Sequence, residues 1–177
     1  AEAHVIEAQI VAKQPQIVVA NHKTMTLSTT LPDFVQRVKA DARGGEAAVV
    51  ITPSWTGLAE LAANEEIQAR LKETPEVRLA VANTHWQEQD AFTGAVLASE
   101  AKRLGAGYVL IDPTTDPQAV ALDGARGATR AVDRIATAIA QGLTPIVQLT
   151  GTEADIRVDV EHLKRALPST VPFKNLV

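Results

Sequence analysis

The chain has 177 residues, enough for one domain with a substantial core, and its 46% hydrophobic and 21% charged residues are typical of a globular protein. A formal net charge of −4 argues against a nucleic-acid-binding protein, which would carry a basic stripe. No apolar run approaches the roughly 18 residues of a membrane span, and the first residues lack the pattern of a signal peptide. The chain has no cysteine, which excludes disulfides, thiolate metal sites and thiol nucleophiles and agrees with a cytoplasmic location.

Five apolar segments of the chain are predicted to form β-strands. They are nearly continuous runs of Val, Ile, Leu and Ala rather than alternating patterns, which is typical of parallel strands covered on both faces. In chain order, the predicted strands are residues 17–21, 47–52, 77–83, 107–112 and 144–149.

Amphipathic segments between and after these strands are predicted to form helices. In chain order, the predicted helices are residues 31–42, 58–73, 95–106, 127–142 and 154–167. Gly105 and Gly142 are predicted to end the third and fourth helices, because glycine adopts the left-handed conformation that commonly follows a helix. Pro168 is predicted to end the fifth helix. The pattern leaves open whether residues 58–73 form one helix or two short ones.

The alternation of strands and helices predicts the α/β fold class. Five strand–helix units follow one another at intervals of about 30 residues, which favours parallel, right-handed βα repeats. No low-complexity tract or composition shift divides residues 1–177, so a single domain is expected. Residues 168–177 are predicted to form a loop and the opening of a sixth strand. For the N-terminal extension of residues 1–15, a short helix and an added edge strand both fit the pattern.

An amide and an ammonium group mark the end of the first predicted strand, with Asn21 as its last residue and Lys23 two positions further on. Residues two apart on a strand point to the same face, so both side chains can project together from its carboxyl end. Ligands of α/β proteins bind at the carboxyl ends of the strands, which makes this pair a candidate site. The alternative is an ordinary exit from a strand into a loop, with one solvated lysine.

Three stretches of the sequence together resemble the triosephosphate isomerase family. VVANHKTM (residues 18–25) is similar to the first-strand motif Gly-Asn-Trp-Lys-Met-Asn of that family. Residues 83–112 resemble its third-strand loop, following helix and fourth strand, and residues 138–156 resemble its fifth-strand region. The order and spacing agree along residues 16–177, and the tetrapeptide AFTG at residues 91–94 is the most specific element.

The resemblance implies a partial TIM barrel of parallel βα repeats with outer helices, incomplete relative to the full barrel. It also implies the family reaction of cytoplasmic glycolysis, the interconversion of dihydroxyacetone phosphate and glyceraldehyde 3-phosphate, with no cofactor. In the family the motif Asn and Lys line the active site, so Asn21 and Lys23 are expected to contact a small sugar phosphate.

The third loop of the family reaches into a partner subunit. By resemblance, Phe92, Thr93 and Gly94 are therefore expected to lie at the interface of a homo-oligomer. The alternative is a tight turn that uses the backbone freedom of Gly94.

The sequence also departs from the family pattern. Pro113 stands where the family has the histidine that polarises the substrate carbonyl, and proline offers no side-chain donor and no backbone N–H. The family's general base, a glutamate on the sixth strand, and its phosphate-binding loops would follow residue 177. The chain is therefore expected to be a weak isomerase or an inactive pseudoenzyme. A natural short form and an excised fragment are both left open.

A different class of function is also consistent with these departures. Five βα units cannot close an eight-stranded barrel, and an open parallel sheet leaves edge strands that another chain can cover. The alternative function is therefore a non-catalytic assembly module, or a fragment completed by a partner chain.

Other residues give weaker signals. The four histidines lack the spacing of a zinc site, so no metal site is expected. His22 should point to the opposite face of the strand from Asn21 and Lys23, so a packing or surface role is expected for it. The segments 112–117, 123–130 and 149–152 are read as loop and helix-start sequences rather than as ligand or phosphate sites. A site of unrelated chemistry built from Lys23 and Asp112 is a remote third alternative.

Overall fold

The computed structural model of the protein describes residues 16–22, 47–88, 95–112, 124–149 and 151–167. Over these residues the chain forms five β-strands and five α-helices. The strands are β1 (Gln16–Asn21), β2 (Ala47–Thr52), β3 (Val77–Ala82), β4 (Tyr108–Ile111) and β5 (Thr144–Val147). The helices are α1 (Trp55–Ala63), α2 (Glu65–Glu73), α3 (Ala98–Arg103), α4 (Gly124–Ala140) and α5 (Glu153–Ala166). The predictions for residues 1–15, 31–42 and 168–177 lie outside the described residues.

Residues 58–73, for which the sequence allowed one helix or two, belong to two helices separated by Asn64. The Asn64 N–H donates to the carbonyl oxygen of Leu61 in the last turn of α1 at 3.3 Å. The Asn64 side chain accepts the N–H of Ile67 at 3.1 Å and so forms the N-cap of α2. Asparagine is a favoured N-cap because its side chain satisfies an otherwise unpaired donor of the first turn.

The predicted helix 95–106 is shorter in the structure, because it begins only at Ala98, after Leu97 in an extended conformation. The carbonyl oxygen of Val96 accepts the N–H of His85 at 2.8 Å. The carboxylate of Glu88 then accepts the N–H of Ala98 at 2.9 Å, at the first residue of α3.

Both predicted glycine helix ends are confirmed, with φ of 90° at Gly105 and 73° at Gly142. After α4, the N–H of Gly142 donates to the carbonyl oxygen of Ile139 at 2.9 Å, and the N–H of Leu143 donates to that of Ala138 at 2.9 Å. These two bonds form a Schellman motif, in which a residue of positive φ lets the last carbonyl groups of the helix find donors.

The five strands form one sheet in the order β1-β2-β3-β4-β5, and every neighbouring pair is parallel. The sheet curls as half of a barrel with helices on its outer side. Sequential order with parallel pairing requires a crossover between neighbouring strands. Among the described residues, α1 and α2 supply it between β2 and β3, α3 between β3 and β4, and α4 between β4 and β5. The predicted α/β class with partial TIM-barrel-like βα repeats is therefore confirmed.

Two apolar clusters distinguish the faces of the sheet. The larger cluster joins the convex face to the helices and includes Ile51, Val81 and Ile111 from the strands. The smaller cluster lies on the concave face and consists of Val50, Ala80, Leu110 and Ile146. Neighbours in sequence, such as Val50 and Ile51, belong to different clusters, as the alternation of side chains along a strand requires. The concave face can therefore be followed residue by residue to the carboxyl ends of the strands.

Candidate functional site

The candidate site is the carboxyl edge of the concave face, where apolar residues give way to polar ones. Val50 and Leu110 belong to the concave cluster. Two positions further along the chain, Thr52 ends β2 and Asp112 directly follows β4. Alternation along extended backbone places these two residues on the concave face as well. We call this set of positions, together with Asn21, the carboxyl edge.

Asn21 lies at the carboxyl end of β1. It pairs in register with Thr52, and residues in register on parallel strands share a face. The pairing extends one residue further, since the N–H of His22 donates to the carbonyl oxygen of Thr52 at 3.0 Å. Asn21 is an exposed residue at this edge. Lys23, the second residue of the predicted pair, lies outside the described residues.

Asp112 brings a buried carboxylate to the same edge, with 9% of the residue exposed. Its N–H donates to the side-chain oxygen of Asn83 at 3.1 Å. On the other side of β4, the N–H of Gln148 donates to the carbonyl oxygen of Ile111 at 2.9 Å, which continues the pairing of β4 with β5. The backbone around Asp112 is therefore held from both neighbouring strands.

Asn83 was predicted to end the third strand, and this prediction is wrong because β3 stops at Ala82. Asn83 has φ of 45°, which turns the chain out of the sheet. Asparagine tolerates this left-handed conformation better than most residues with a side chain. An Asn at the end of an apolar run, before a polar stretch, was the available sequence signal for this turn.

Two threonines at this end of the sheet were not identified from the sequence. Thr52 and Thr84 are 0% and 1% exposed, and neither side-chain oxygen has a hydrogen-bond partner in the part of the chain that the structure describes. A buried polar group without a partner costs about 1–3 kcal/mol. The carboxyl edge therefore includes one hydroxyl group that reduces stability, that of Thr52, and the hydroxyl of Thr84 lies just beyond the end of β3. Polar groups that reduce stability are more common at functional sites than elsewhere.

The loop after β3 was predicted to contact a partner subunit, and its base is held in place. The hydrogen bond from His85 to Val96 closes the loop. The hydroxyl of Thr137 on α4 donates to the carbonyl oxygen of Trp86 at 2.8 Å. The guanidinium carbon of Arg134, also on α4, lies 5.6 Å from the centre of the Trp86 ring, within the range of a cation–π interaction. Phe92, Thr93 and Gly94 themselves lie outside the described residues.

The segment 149–152, a weak candidate for anion binding, leads into the N-terminus of α5. The N–H and hydroxyl of Thr152 donate to the carboxylate of Asp155 at 2.9 and 2.6 Å. These bonds to Thr152 lower the pKa of Asp155 below its ordinary value of 3.8. Because a carboxylate of the chain itself accepts these donors, the helix start acts as a capping box rather than as a free anion site.

The described residues contain neither a metal cluster nor a membrane-spanning helix. Among these residues, no group of three or more His, Asp or Glu side chains is arranged to hold a metal ion. None of the described helices combines the length and the apolar character needed to cross a bilayer.

Sequentially ordered parallel strands, outer helices and polar residues at the carboxyl ends of the strands define a βα-barrel type of protein, seen here as half of a barrel. The sequence model of the triosephosphate isomerase family matches residues 16–156. The chain therefore belongs to the triosephosphate isomerase family.

Relatives agree with this membership. The chain is 31% identical to the triosephosphate isomerase of Alkaliphilus metalliredigens over 96 residues, which are 54% of this chain and 36% of that protein. It is 29% identical to the triosephosphate isomerase of Pelobacter propionicus over 126 residues, which are 71% of this chain and 45% of that protein. The matched region thus spans less than half the length of these relatives.

The fold also resembles a solved structure of the family. The crystal structure of triosephosphate isomerase from Bartonella henselae superposes with a TM-score of 0.63 and 16% sequence identity. The superposition covers 92% of this chain and 66% of the Bartonella chain. At this identity, the likeness shows the fold alone.

Proposed function

We propose that this chain keeps part of the substrate-binding face of a triosephosphate isomerase but interconverts dihydroxyacetone phosphate and glyceraldehyde 3-phosphate weakly or not at all. The observation that carries the proposal is the carboxyl edge of a family sheet on which Asn21 is exposed and Asp112 is followed by Pro113. A small sugar phosphate in the cytoplasm is the proposed ligand, and no cofactor is proposed.

The expected weakness follows from the chemistry of the reaction. Moving a proton next to a carbonyl requires a positioned base, worth roughly 10²–10⁴-fold in rate. It also requires a donor that stabilises the developing oxyanion, and loss of one such donor costs about 10²–10³-fold. By resemblance to the family, Pro113 stands at the position of the donor histidine and cannot replace it.

A coupled assay of triose phosphate interconversion tests this proposal. The expected rate for the pure chain is at least about 10²-fold below that of a full-length family enzyme assayed in parallel. Asn21→Ala serves as the control, because any turnover by the carboxyl edge should fall in this variant, whereas turnover by a contaminating isomerase should not. The proposed weak activity would be refuted if the wild-type chain turned over as fast as the full-length enzyme and if the Asn21→Ala variant lost this turnover.

A second candidate function is assembly, and the exposed edge of the sheet favours it. Of the described strands, β1 and β5 lie at the two ends of the strand order. Val18 and Val19 on β1 are 55% and 36% exposed, which is unusual for large apolar side chains on a strand. An exposed apolar edge strand readily pairs with another chain. We propose that chains of this protein associate with one another, with contacts through β1 and through Phe92, Thr93 and Gly94.

Light scattering at micromolar concentration tests the assembly. The expected mass is a multiple of 18.8 kDa. Val18→Lys should lower the mass toward the monomer, because a charge on an edge strand opposes pairing. Val158→Lys is the matched control, since Val158 is 66% exposed on α5 and is not part of β1. A wild-type chain that is monomeric at every concentration tested would rule the assembly out.

A further inference from the structure

Asn83 connects the carboxyl ends of β3 and β4 through two hydrogen bonds. Its N–H donates to the carbonyl oxygen of Leu110 at 2.9 Å, and its side-chain oxygen accepts the N–H of Asp112 at 3.1 Å. Among the described residues other than glycine, Asn83 alone has a positive φ. An unusual backbone conformation at the edge of a candidate site is an observation from which a functional role can be inferred.

The second bond replaces one that the sheet would otherwise make. In a continued parallel ladder, the N–H of Asp112 would donate to the main-chain carbonyl of Asn83. Since β3 ends at Ala82 and the chain turns away at Asn83, this carbonyl no longer continues the ladder. The side-chain oxygen of the same residue takes its place, so the chain leaves the sheet while the Asp112 N–H keeps an acceptor.

The left-handed turn alone does not require asparagine. Glycine adopts a positive φ without steric cost and would make the same turn. What asparagine adds is the acceptor for Asp112. The residue type at position 83 is therefore explained by the bond to β4 and not only by the backbone conformation.

We propose that Asn83 is a positioning residue that fixes the backbone of Asp112 and thereby the place of its carboxylate on the carboxyl edge. The same bond fixes the point at which the chain leaves β4 toward Pro113. The importance of this position for a ligand rests on the proposed function. The clamp itself is a property of the chain without ligand, so it can be tested separately.

Amide hydrogen exchange of Asp112, followed by NMR, tests the clamp. In Asn83→Gly the turn is kept and the acceptor is lost, so the Asp112 amide should exchange about two- to tenfold faster relative to the Val109 amide, the range for one net hydrogen bond. The ¹³C shift of the Asp112 carboxyl group should change as well. Asn83→Asp keeps an acceptor and tolerates the turn, so it should restore the wild-type exchange ratio.

Asn64→Gly is the matched control, because it removes an asparagine side-chain acceptor from the N-cap of α2, away from the carboxyl edge. Its Asp112 exchange ratio should equal that of the wild type. An unchanged exchange ratio and carboxyl shift in a folded Asn83→Gly protein would overturn the proposal. If Asn83→Gly does not fold, an NMR measurement on the wild-type protein tests the bond between Asn83 and Asp112 instead. A correlation across the hydrogen bond from the Asp112 N–H to the Asn83 side-chain carbonyl would support the clamp, and its absence would overturn it.

Discussion

Replacing Thr52 with valine is expected to stabilise the protein, although the change removes a polar group from the carboxyl edge. The Thr52 side chain is fully buried, and its hydroxyl has no hydrogen-bond partner among the described residues. Valine has nearly the same shape, suits a β-strand and carries no group to desolvate. Because an unsatisfied buried hydroxyl costs about 1–3 kcal/mol, the free energy of unfolding should rise by about that amount. For a protein of this size, Tm should rise by about 2–4 °C for each kcal/mol.

Thr137→Val is the matched control for this prediction. The Thr137 hydroxyl has a partner, the carbonyl oxygen of Trp86 at 2.8 Å, so its loss should lower the free energy of unfolding by about 1 kcal/mol. Both variants are measured by urea denaturation. The slope m of the free energy of unfolding against urea concentration should equal that of the wild type, which shows that unfolding exposes the same amount of surface. If Thr52→Val destabilises the protein as Thr137→Val does, the Thr52 hydroxyl has a partner and the reasoning from its burial is wrong.

Two further predictions concern the core and the N-terminus of α5. Leu61→Ala should lower the free energy of unfolding by about 2–5 kcal/mol, because Leu61 is 0% exposed. Val158→Ala should change the free energy of unfolding by no more than about 0.5 kcal/mol, because Val158 is 66% exposed. Similar urea midpoints for the two variants would contradict the assigned core. The lowered pKa of Asp155 means that its contribution to stability is fully present above 3.8 and is lost as the pH falls through the lower pKa of the folded state. The difference in urea midpoint between wild type and Asp155→Asn should therefore be constant near neutral pH and shrink on acidification, and a difference that grows toward acid pH would contradict the capping box.

Most of the sheet could be predicted from the sequence, because parallel strands covered on both faces appear as continuous apolar runs. The predicted ends of the helices and strands were less accurate where contacts between residues distant in sequence determine them. The start of α3 depends on the hydrogen bond from His85 to Val96 and on capping of Ala98 by Glu88. Both contacts join residues that are distant in sequence, so the local pattern of residues does not reveal them. The break at Asn64 was within reach, since an asparagine followed by two glutamates is a common helix start.

The candidate site was predicted less completely than the fold. Strand alternation and motif resemblance both led to Asn21. The structure describes its position at the carboxyl end of β1, while its contact with substrate remains a prediction. Thr52 gave no sequence signal, because its significance depends on burial. For Asn83 the sequence could signal a turn, but its bond to Asp112 depends on the pairing of neighbouring strands. Asp112 was considered from the sequence only with Lys23, as part of a remote alternative site at the carboxyl ends of the strands. Its buried position and its bond to Asn83 arise from tertiary structure.

We propose that a sugar phosphate binds to the carboxyl edge of this sheet even when little turnover follows. Titration of ¹⁵N-labelled protein with dihydroxyacetone phosphate, followed by NMR, tests this claim most directly. We predict saturable shifts of the Asn21 side-chain amide and the Asp112 N–H, with the amides of Gln16 and Tyr108 at the opposite ends of their strands unchanged. Shifts at those opposite ends alone, or no shift at Asn21 and Asp112 at millimolar ligand, would contradict it.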